Sequence, residues 1–337
     1  MAGRRALASA FATLLALVGA SAAIGAPGGI SPPSPATPSG DAINQVYWVV
    51  FVICAAVFVF VEATLLIFIF RFRRRRDTLA DAEGPQIHGN TRIEIIWTII
   101  PAAILLGIAL FTFARVSAVQ ATPDGDGAAN ALKVRVAAHQ FYWQYEYPNG
   151  VVSLDTLRLP VDRPVRLELV AYDVDHSWWV PALTGKRDAI PGQKNVLDFT
   201  PDRTGTFEGQ CAELCGIQHA LMRTDVQVLE QQEFDTWLSE QASAQEDGGA
   251  ELGRNEWEAV CAKCHGPEGQ GEIGPPIAGN SILRNRQALI GLLSKGQDTA
   301  ELDGFMPAVG LGWKGFQYDA LVAYVRSNSK LSGTQGR

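Results

Sequence analysis

Two long apolar runs dominate the first third of the chain. Residues 46–70 carry a single charged side chain, Glu62, and residues 95–114 carry none. At about 1.5 Å of rise per residue, a helix over either run crosses roughly 30 Å of hydrocarbon. A shorter apolar stretch between Leu7 and Val18 follows Arg4 and Arg5 and gives way to small residues near Ala22 and Ala26. That order predicts a signal peptide over 1–26. Pro, Gly and Ser then make 27–45 a flexible segment. Beyond residue 130 the period drops to two. Val134, Val136 and Ala138 share one strand face, and Phe141, Trp143, Tyr145 and Tyr147 share another. Similar short runs recur up to Val228, separated by turns such as Pro148-Asn149-Gly150 and Pro201-Asp202. The pattern predicts a small antiparallel sandwich or barrel over 115–230. A short helix near residues 234–238 and a small, polar, glycine-paired stretch up to 250 read as a linker. Residues 251–330 return to helical character, with Leu321, Tyr324 and Val325 marking a C-terminal helix.

Charge orients the membrane segments. The loop 71–92 holds Arg71, Arg73, Arg74, Arg75, Arg76 and Arg92. The positive-inside rule makes it cytoplasmic, which places helices over 46–70 and 93–114 as a hairpin with everything after it outside. Glu62, in mid-span, must face protein or water. Glu94 opens the second span, where an acidic residue suits the helix dipole. Pro101 falls in that span, where neighbouring helices can absorb the lost hydrogen bond. Of 337 residues, 47% are hydrophobic and 19% charged, and the net charge of −7 gives no sign of nucleic-acid binding.

The cysteines carry the chemistry. Cys54 lies in the first span, and the other four form two close pairs, Cys211/Cys215 and Cys261/Cys264. In an exported region, two disulfides are the plain expectation. The company of the pairs points elsewhere: His176, His219, His265, Met222 and Met306 gather at the same two places. In the run from Cys211 to Met222, C-A-E-L-C-G-I-Q-H-A-L-M, two thiolates four residues apart can turn toward one point and bridge two copper ions. His219 and His176 can each cap one copper, Met222 offers a weak axial thioether, and a backbone carbonyl of the loop can serve the other copper. Sulfur with imidazole is the ligand set of electron-transfer copper. In the second pair, Cys261-Ala262-Lys263-Cys264-His265 is the C-x-x-C-H signature of covalent haem c attachment. The alternatives fit less well. Zinc needs further ligands, and the region holds no other Cys or His; thioredoxin-like chemistry needs a βαβ setting. Met306, in Gly304-Phe305-Met306-Pro307, can supply the thioether opposite His265.

With these motifs in view, residues 40–230 resemble cytochrome c oxidase subunit II. The copper loop, Glu94-Ile95-Ile96-Trp97-Thr98-Ile99-Ile100-Pro101, His139-Gln140-Phe141-Tyr142-Trp143 and Asp188-Ala189-Ile190-Pro191-Gly192 carry the resemblance. It implies an all-β, cupredoxin-like Greek-key domain. It implies a dinuclear copper (CuA) site held by His176, Cys211, the Glu213 carbonyl, Cys215, His219 and Met222. It also implies a magnesium or manganese ion held in part by the Glu213 side chain at the junction with subunit I, and it sets Glu94 at the mouth of a proton channel. The family usually has Trp where Phe141 stands, as the point where a soluble cytochrome c delivers electrons. Phe141 and Trp143 are the candidate relay residues, with core packing as the plainer role for Trp143.

Residues 251–330 resemble an all-α class I cytochrome c, and the whole chain resembles the caa-type oxidases. The expected architecture is a multidomain membrane protein: transmembrane hairpin, cupredoxin-like domain, tethered cytochrome c domain. The expected role is electron input, from haem c to CuA to subunit I, where dioxygen is reduced with proton translocation. The partners implied are subunits I and III, the membrane, and a donor that is a cytochrome c or a quinol–cytochrome c reductase; the location implied is the bacterial plasma membrane, with both soluble domains on the outer side. A copper-free quinol oxidase subunit conflicts with the intact ligand set. Nitrous-oxide reductase, which shares the loop, would need a histidine-rich domain. A membrane-tethered copper-handling or thiol-redox protein leaves His219, Met222 and the haem motif without a role.

Overall fold

A computed structural model of the chain describes residues 31–73, 86, 88–119, 130–246, 249–299 and 304–333. The expected signal peptide, and Arg74, Arg75 and Arg76, lie outside the described residues. The chain divides into two units, one formed by residues 41–120 and the other by the remainder.

The first unit holds two long apolar helices, α1 (Pro38–Arg71) and α2 (Thr91–Val119), each long and apolar enough to cross a membrane. Both begin earlier than the apolar runs alone suggest. Thr37 caps α1 by accepting from the Gly40 amide at 2.9 Å, with Pro38 at the first helical position. Asn90 caps α2 through the amides of Arg92 and Ile93, and the Glu94 carboxylate returns to the Asn90 amide at 3.0 Å. Glu94 thus closes a reciprocal cap.

In the second unit, ten strands form a sandwich. One sheet runs β3 (Val152–Leu154), β2 (Tyr142–Glu146), β1 (Leu132–His139), β5 (Val165–Ala171) and β8 (Asn195–Phe199). The other runs β4 (Thr156–Pro160), β10 (Arg223–Leu229), β9 (Gly205–Cys211), β6 (His176–Trp179) and β7 (Arg187–Ala189). The sheets are mixed rather than wholly antiparallel: β1 pairs in parallel with β5, and β4 with β10. The chain leaves one sheet for the other before returning, which a parallel pair requires. Alternation sets the core. Val134, Val136, Leu167, Leu169, Leu157 and Val226 point inward and are fully buried, each contributing about 1.5–3 kcal/mol by leaving water. Residues 31–37, expected to be flexible, are bound to the sandwich. The amide of Ala36 donates to the Ala182 carbonyl at 2.8 Å, and its carbonyl accepts from Asp202 at 3.0 Å.

After β10 the chain forms α3 (Gln231–Glu246), which runs through most of the expected linker. Phe234 and Trp237 pack on Tyr147, and the Gln245 amide makes two bonds to the backbone of Val152, at 2.9 and 3.1 Å. The C-terminal domain follows: α4 (Ala250–Glu256), a π turn (Trp257–Cys261), α5 (Ala262–His265), α6 (Arg286–Lys295), α7 (Gly315–Ser327) and α8 (Ser329–Ser332). It is helical as expected, with a short two-stranded ladder of β11 (Gln297–Thr299) and β12 (Gly304–Met306) added.

The two soluble domains share a core. Tyr142, Val152 and Leu154 of the sandwich pack in one apolar cluster with Trp257, Leu321 and Val325. Strand β2 is buried on both faces. Trp143 and Tyr145 point into the sandwich, while Tyr142, Gln144 and Glu146 meet the C-terminal domain. The Trp313 indole donates to the Tyr142 hydroxyl at 2.7 Å, the Gln317 amide to Gln144 at 3.1 Å, and Lys314 pairs with Glu146. Gly312, at φ +77°, lies so close to Tyr172 that a Cβ there would fall 2.4 Å from its ring. Only glycine suits both that conformation and that gap.

Candidate metal and haem sites

The sandwich gathers one donor set at the end of β6 and β9. These strands pair antiparallel with Trp178 opposite Cys211, which brings His176, first residue of β6, beside Cys211, last of β9. The loop after Cys211 closes on itself: the Cys211 amide donates to the Met222 carbonyl at 2.9 Å, and a 3-10 turn over His219–Leu221 turns His219 inward. The sulfurs of Cys211 and Cys215 are 3.9 Å apart, well beyond the roughly 2.05 Å of a disulfide. His176 Nδ1 lies 3.9 Å from the Cys211 sulfur and His219 Nδ1 lies 3.5 Å from the Cys215 sulfur. Met222, fully buried, brings its Sδ to 3.8 Å from Cys215, and the Glu213 carbonyl is 3.2 Å from the Cys211 sulfur. Every donor expected from the sequence is therefore in this cluster. Among the described residues, His176, Cys211 and Cys215 form the one set of three His, Cys, Asp or Glu donors within 4.8 Å of one another.

A buried ring of polar contacts holds the cluster. Asp173 binds His176 Nε2 at 2.8 Å, which aims Nδ1 at the sulfurs. Burial works against the Asp173 charge, but the bonds from His176 and from the amides of Gln140 and Val174 outweigh it and hold the carboxyl below its usual range. The Cys215 thiol lying against Cys211 lowers the Cys211 thiol against the effect of burial, and the Cys215 thiol rises in turn. The pair thus carries one charge readily, and a cation of soft preference would draw the second proton off. This chemistry fits copper.

The remaining candidates of this domain take different places. Trp143 is fully buried, edge-on to His176 with ring centroids 6.1 Å apart. Phe141 is buried against Gly216 and offers no exposed landing face. The Glu213 side chain is half exposed and lies 3.8 Å from Lys186. Two groups lie in the motifs quoted above without a role assigned to them. His139 is fully buried without a hydrogen-bond partner, stacked between Tyr142 and Tyr172, and burial lowers its pKa to about 3. Gln218, inside the copper loop, reaches the other domain.

In the C-terminal domain, Cys261 and Cys264 are free thiols on a continuous helical turn that ends at His265. His265 Nδ1 lies 2.8 Å from the Pro275 carbonyl, which leaves Nε2 for a metal. Gly274 packs on the imidazole so closely that a Cβ would sit 2.8 Å from the ring. Met306 ends β12, half-buried against the domain core. Ile273 and Phe305, next to Gly274 and Met306, present large apolar side chains outward. Free paired thiols, an oriented imidazole and flanking apolar surface fit haem c.

Fold and sites together define a membrane-anchored cupredoxin with a fused cytochrome c-type domain. Comparison with known proteins agrees. Residues 26–114 match the transmembrane domain of cytochrome c oxidase subunit II, residues 151–229 match its periplasmic domain, and residues 248–325 match the family described as cytochrome c oxidase, cbb3-type, subunit III. A cytochrome c oxidase subunit 2 of Alkalihalophilus pseudofirmus is 35% identical over 270 residues, covering 75% of this chain and 78% of that protein. One from Bacillus sp. strain PS3 is 36% identical, covering 57% and 58%. The periplasmic domain of subunit II (CoxB) of Bradyrhizobium japonicum, at 32% identity, covers 33% of this chain and 94% of that one, with a TM-score of 0.33. The chain belongs to the cytochrome c oxidase subunit II family.

Proposed function

We propose that this chain is the electron-input subunit of a caa-type oxidase. The C-terminal domain would hold a haem c able to take an electron from a donor, a cytochrome c or a quinol–cytochrome c reductase. The sandwich would hold a CuA centre able to pass it to subunit I, where dioxygen would be reduced to water with proton translocation. Bound copper supplies a centre that takes and gives one electron with little rearrangement. His176, Cys211, the Glu213 carbonyl, Cys215, His219 and Met222 would hold it. Cys261 and Cys264 would anchor the haem, and His265 and Met306 would ligate its iron. Trp143, packed on His176, would serve as relay toward the interior. Subunit III, a shared magnesium or manganese ion at Glu213, and a proton-channel role for Glu94 complete the proposal; Glu94 is exposed beside its capping contact, and Glu213 is within reach of solvent. Arg71, Arg73 and Arg92 support a cytoplasmic connection between the helices, with both soluble domains outside.

The observation that carries this reading is the convergence of five side-chain donors on one buried point, in the same compact unit as a C-x-x-C-H turn with its histidine oriented. The test is the copper-to-iron ratio and EPR spectrum of the full-length chain matured with both. About two coppers per haem, with one electron shared by both nuclei, is expected. One copper with a mononuclear signal, or none beside intact haem c, would overturn it.

A further inference from the structure

Two neighbouring contacts join the copper loop to the haem-attachment turn, and they run in opposite directions. Gln218, the residue before His219, is buried, and its Nε2 donates to the Lys263 carbonyl at 3.1 Å and to the Cys264 sulfur at 3.1 Å. Lys263 returns: its ammonium lies 2.6 Å from the Asp155 carboxylate and 3.0 Å from the Phe141 carbonyl. Asp155 is itself fixed by the Trp143 amide at 2.9 Å. Both hydrogens of the Gln218 amide are therefore committed to the C-x-x-C-H turn. Nothing in that arrangement conflicts with haem attachment. A thioether sulfur loses its S–H but still accepts a weak hydrogen bond, and the donor here is Gln218.

We infer that Gln218 is a positioning residue that sets the register of the haem-attachment turn on the copper loop, with Lys263 and Asp155 as the latch beside it. The inference rests on the proposed function for its meaning, and on these contacts for its geometry. Gln218 links one residue from a copper donor, His219, to one of the two haem-anchoring sulfurs. The rest of the seam, Tyr142 with Trp313 and Glu146 with Lys314, lies along β2 and holds the domain in place independently. Transfer between the centres then takes place within a docked unit, and no encounter between tethered domains is needed.

Gln218→Met keeps the length and removes both donors; Gln218→Asn keeps the amide and shortens the reach. Both are made in the full chain, assembled in its oxidase with copper and haem. Hydrogen exchange is expected to rise together in residues 212–219 and 262–266 in both variants, while the amides of β2 stay as in the parent. The rate of haem c reoxidation after photoreduction is expected to fall severalfold, because tunnelling between the centres weakens with each ångström of added separation, with the haem potential and copper EPR signal unchanged. In the parent the rate is expected to be independent of ionic strength, because no charged encounter precedes transfer. Exchange that rises in the copper loop alone, or a transfer rate that matches the parent, overturns the inference. A parent that binds both metals but passes no electron between them overturns the proposed function, and the paired rise in exchange then stands as the test of the seam.

Discussion

Glu256 is the residue whose environment is most at odds with its chemistry. It is fully buried in α4, neither carboxylate oxygen has a well-formed hydrogen bond among the described residues, and the Gln317 amide beside it donates to Gln144. Burial pushes its carboxyl well above the usual glutamate range, and the nearby Gln317 offsets only part of that. The folded state then holds this proton more tightly than the unfolded chain does. Its contribution to stability is full below the unfolded value and is lost as pH rises toward the folded one. Glu256→Gln is therefore expected to exceed the parent in stability by more than about 1 kcal/mol at pH 8 and to match it near pH 4. Urea unfolding followed by far-UV circular dichroism at the two pH values measures this; equal midpoints at pH 8 would show that Glu256 keeps its charge by other means. The candidate copper donors were legible in the sequence because four of them, Cys211, Cys215, His219 and Met222, carry rare chemistry in a fixed run, with His176 as a fifth upstream. Gln218 was not, because an amide within a loop has no signature until the fold shows what it touches. The burial of His139 was hidden for a related reason, since the aromatic pair that encloses it, Tyr142 and Tyr172, comes together only in the fold.

At the scale of elements, α3 changes the picture most. Small and polar residues such as Ser239, Gln241 and Ser243 suggested a linker, yet the helix runs to Glu246. Gln245 explains why it persists, because its amide pairs with both backbone groups of Val152 and so extends the edge of β3 by one side chain. Gln245→Ala leaves those two groups without their protein partners, a loss of about 1–3 kcal/mol. Thermal unfolding of the variant chain checks it, and an unchanged midpoint would mean that water replaces the glutamine at no cost. Strand β2 shows the same limit from the other side. Its inward face, Trp143 and Tyr145, was legible from the period of two. The burial of its outward face, Tyr142, Gln144 and Glu146, has no local signal, because the second domain that covers it lies more than a hundred residues further along the chain. The capping of α1 was readable in principle, since Thr37-Pro38 is a start signal, but it sits among prolines and glycines that argue for a loop.

The whole soluble unit behaves, on this structure, as a single body. Phe141, where the family usually places a landing tryptophan, is buried, and its carbonyl holds the Lys263 ammonium. The expectation of a loose tether is replaced by a shared apolar core with Gly312 pressed on Tyr172. Stability should then pass between the two halves. Copper held by the folded cluster would stabilise it by mass action, and the shared core would transmit the loss of that stabilisation. Stripping copper from the mature chain is expected to lower the temperature at which the haem Soret band collapses. A Soret transition that ignores copper would mean that the domains unfold separately. The double burial of β2 has one more consequence, which concerns shortening the protein. A chain cut after Leu229 would retain every proposed copper donor and all ten strands of the sandwich. It would also lay bare Tyr142, Val152 and Leu154 as an apolar strip along a sheet edge, a surface that invites strand-to-strand association. Such a fragment would be a sticky half of a closed object: the cytochrome is this cupredoxin's fourth wall.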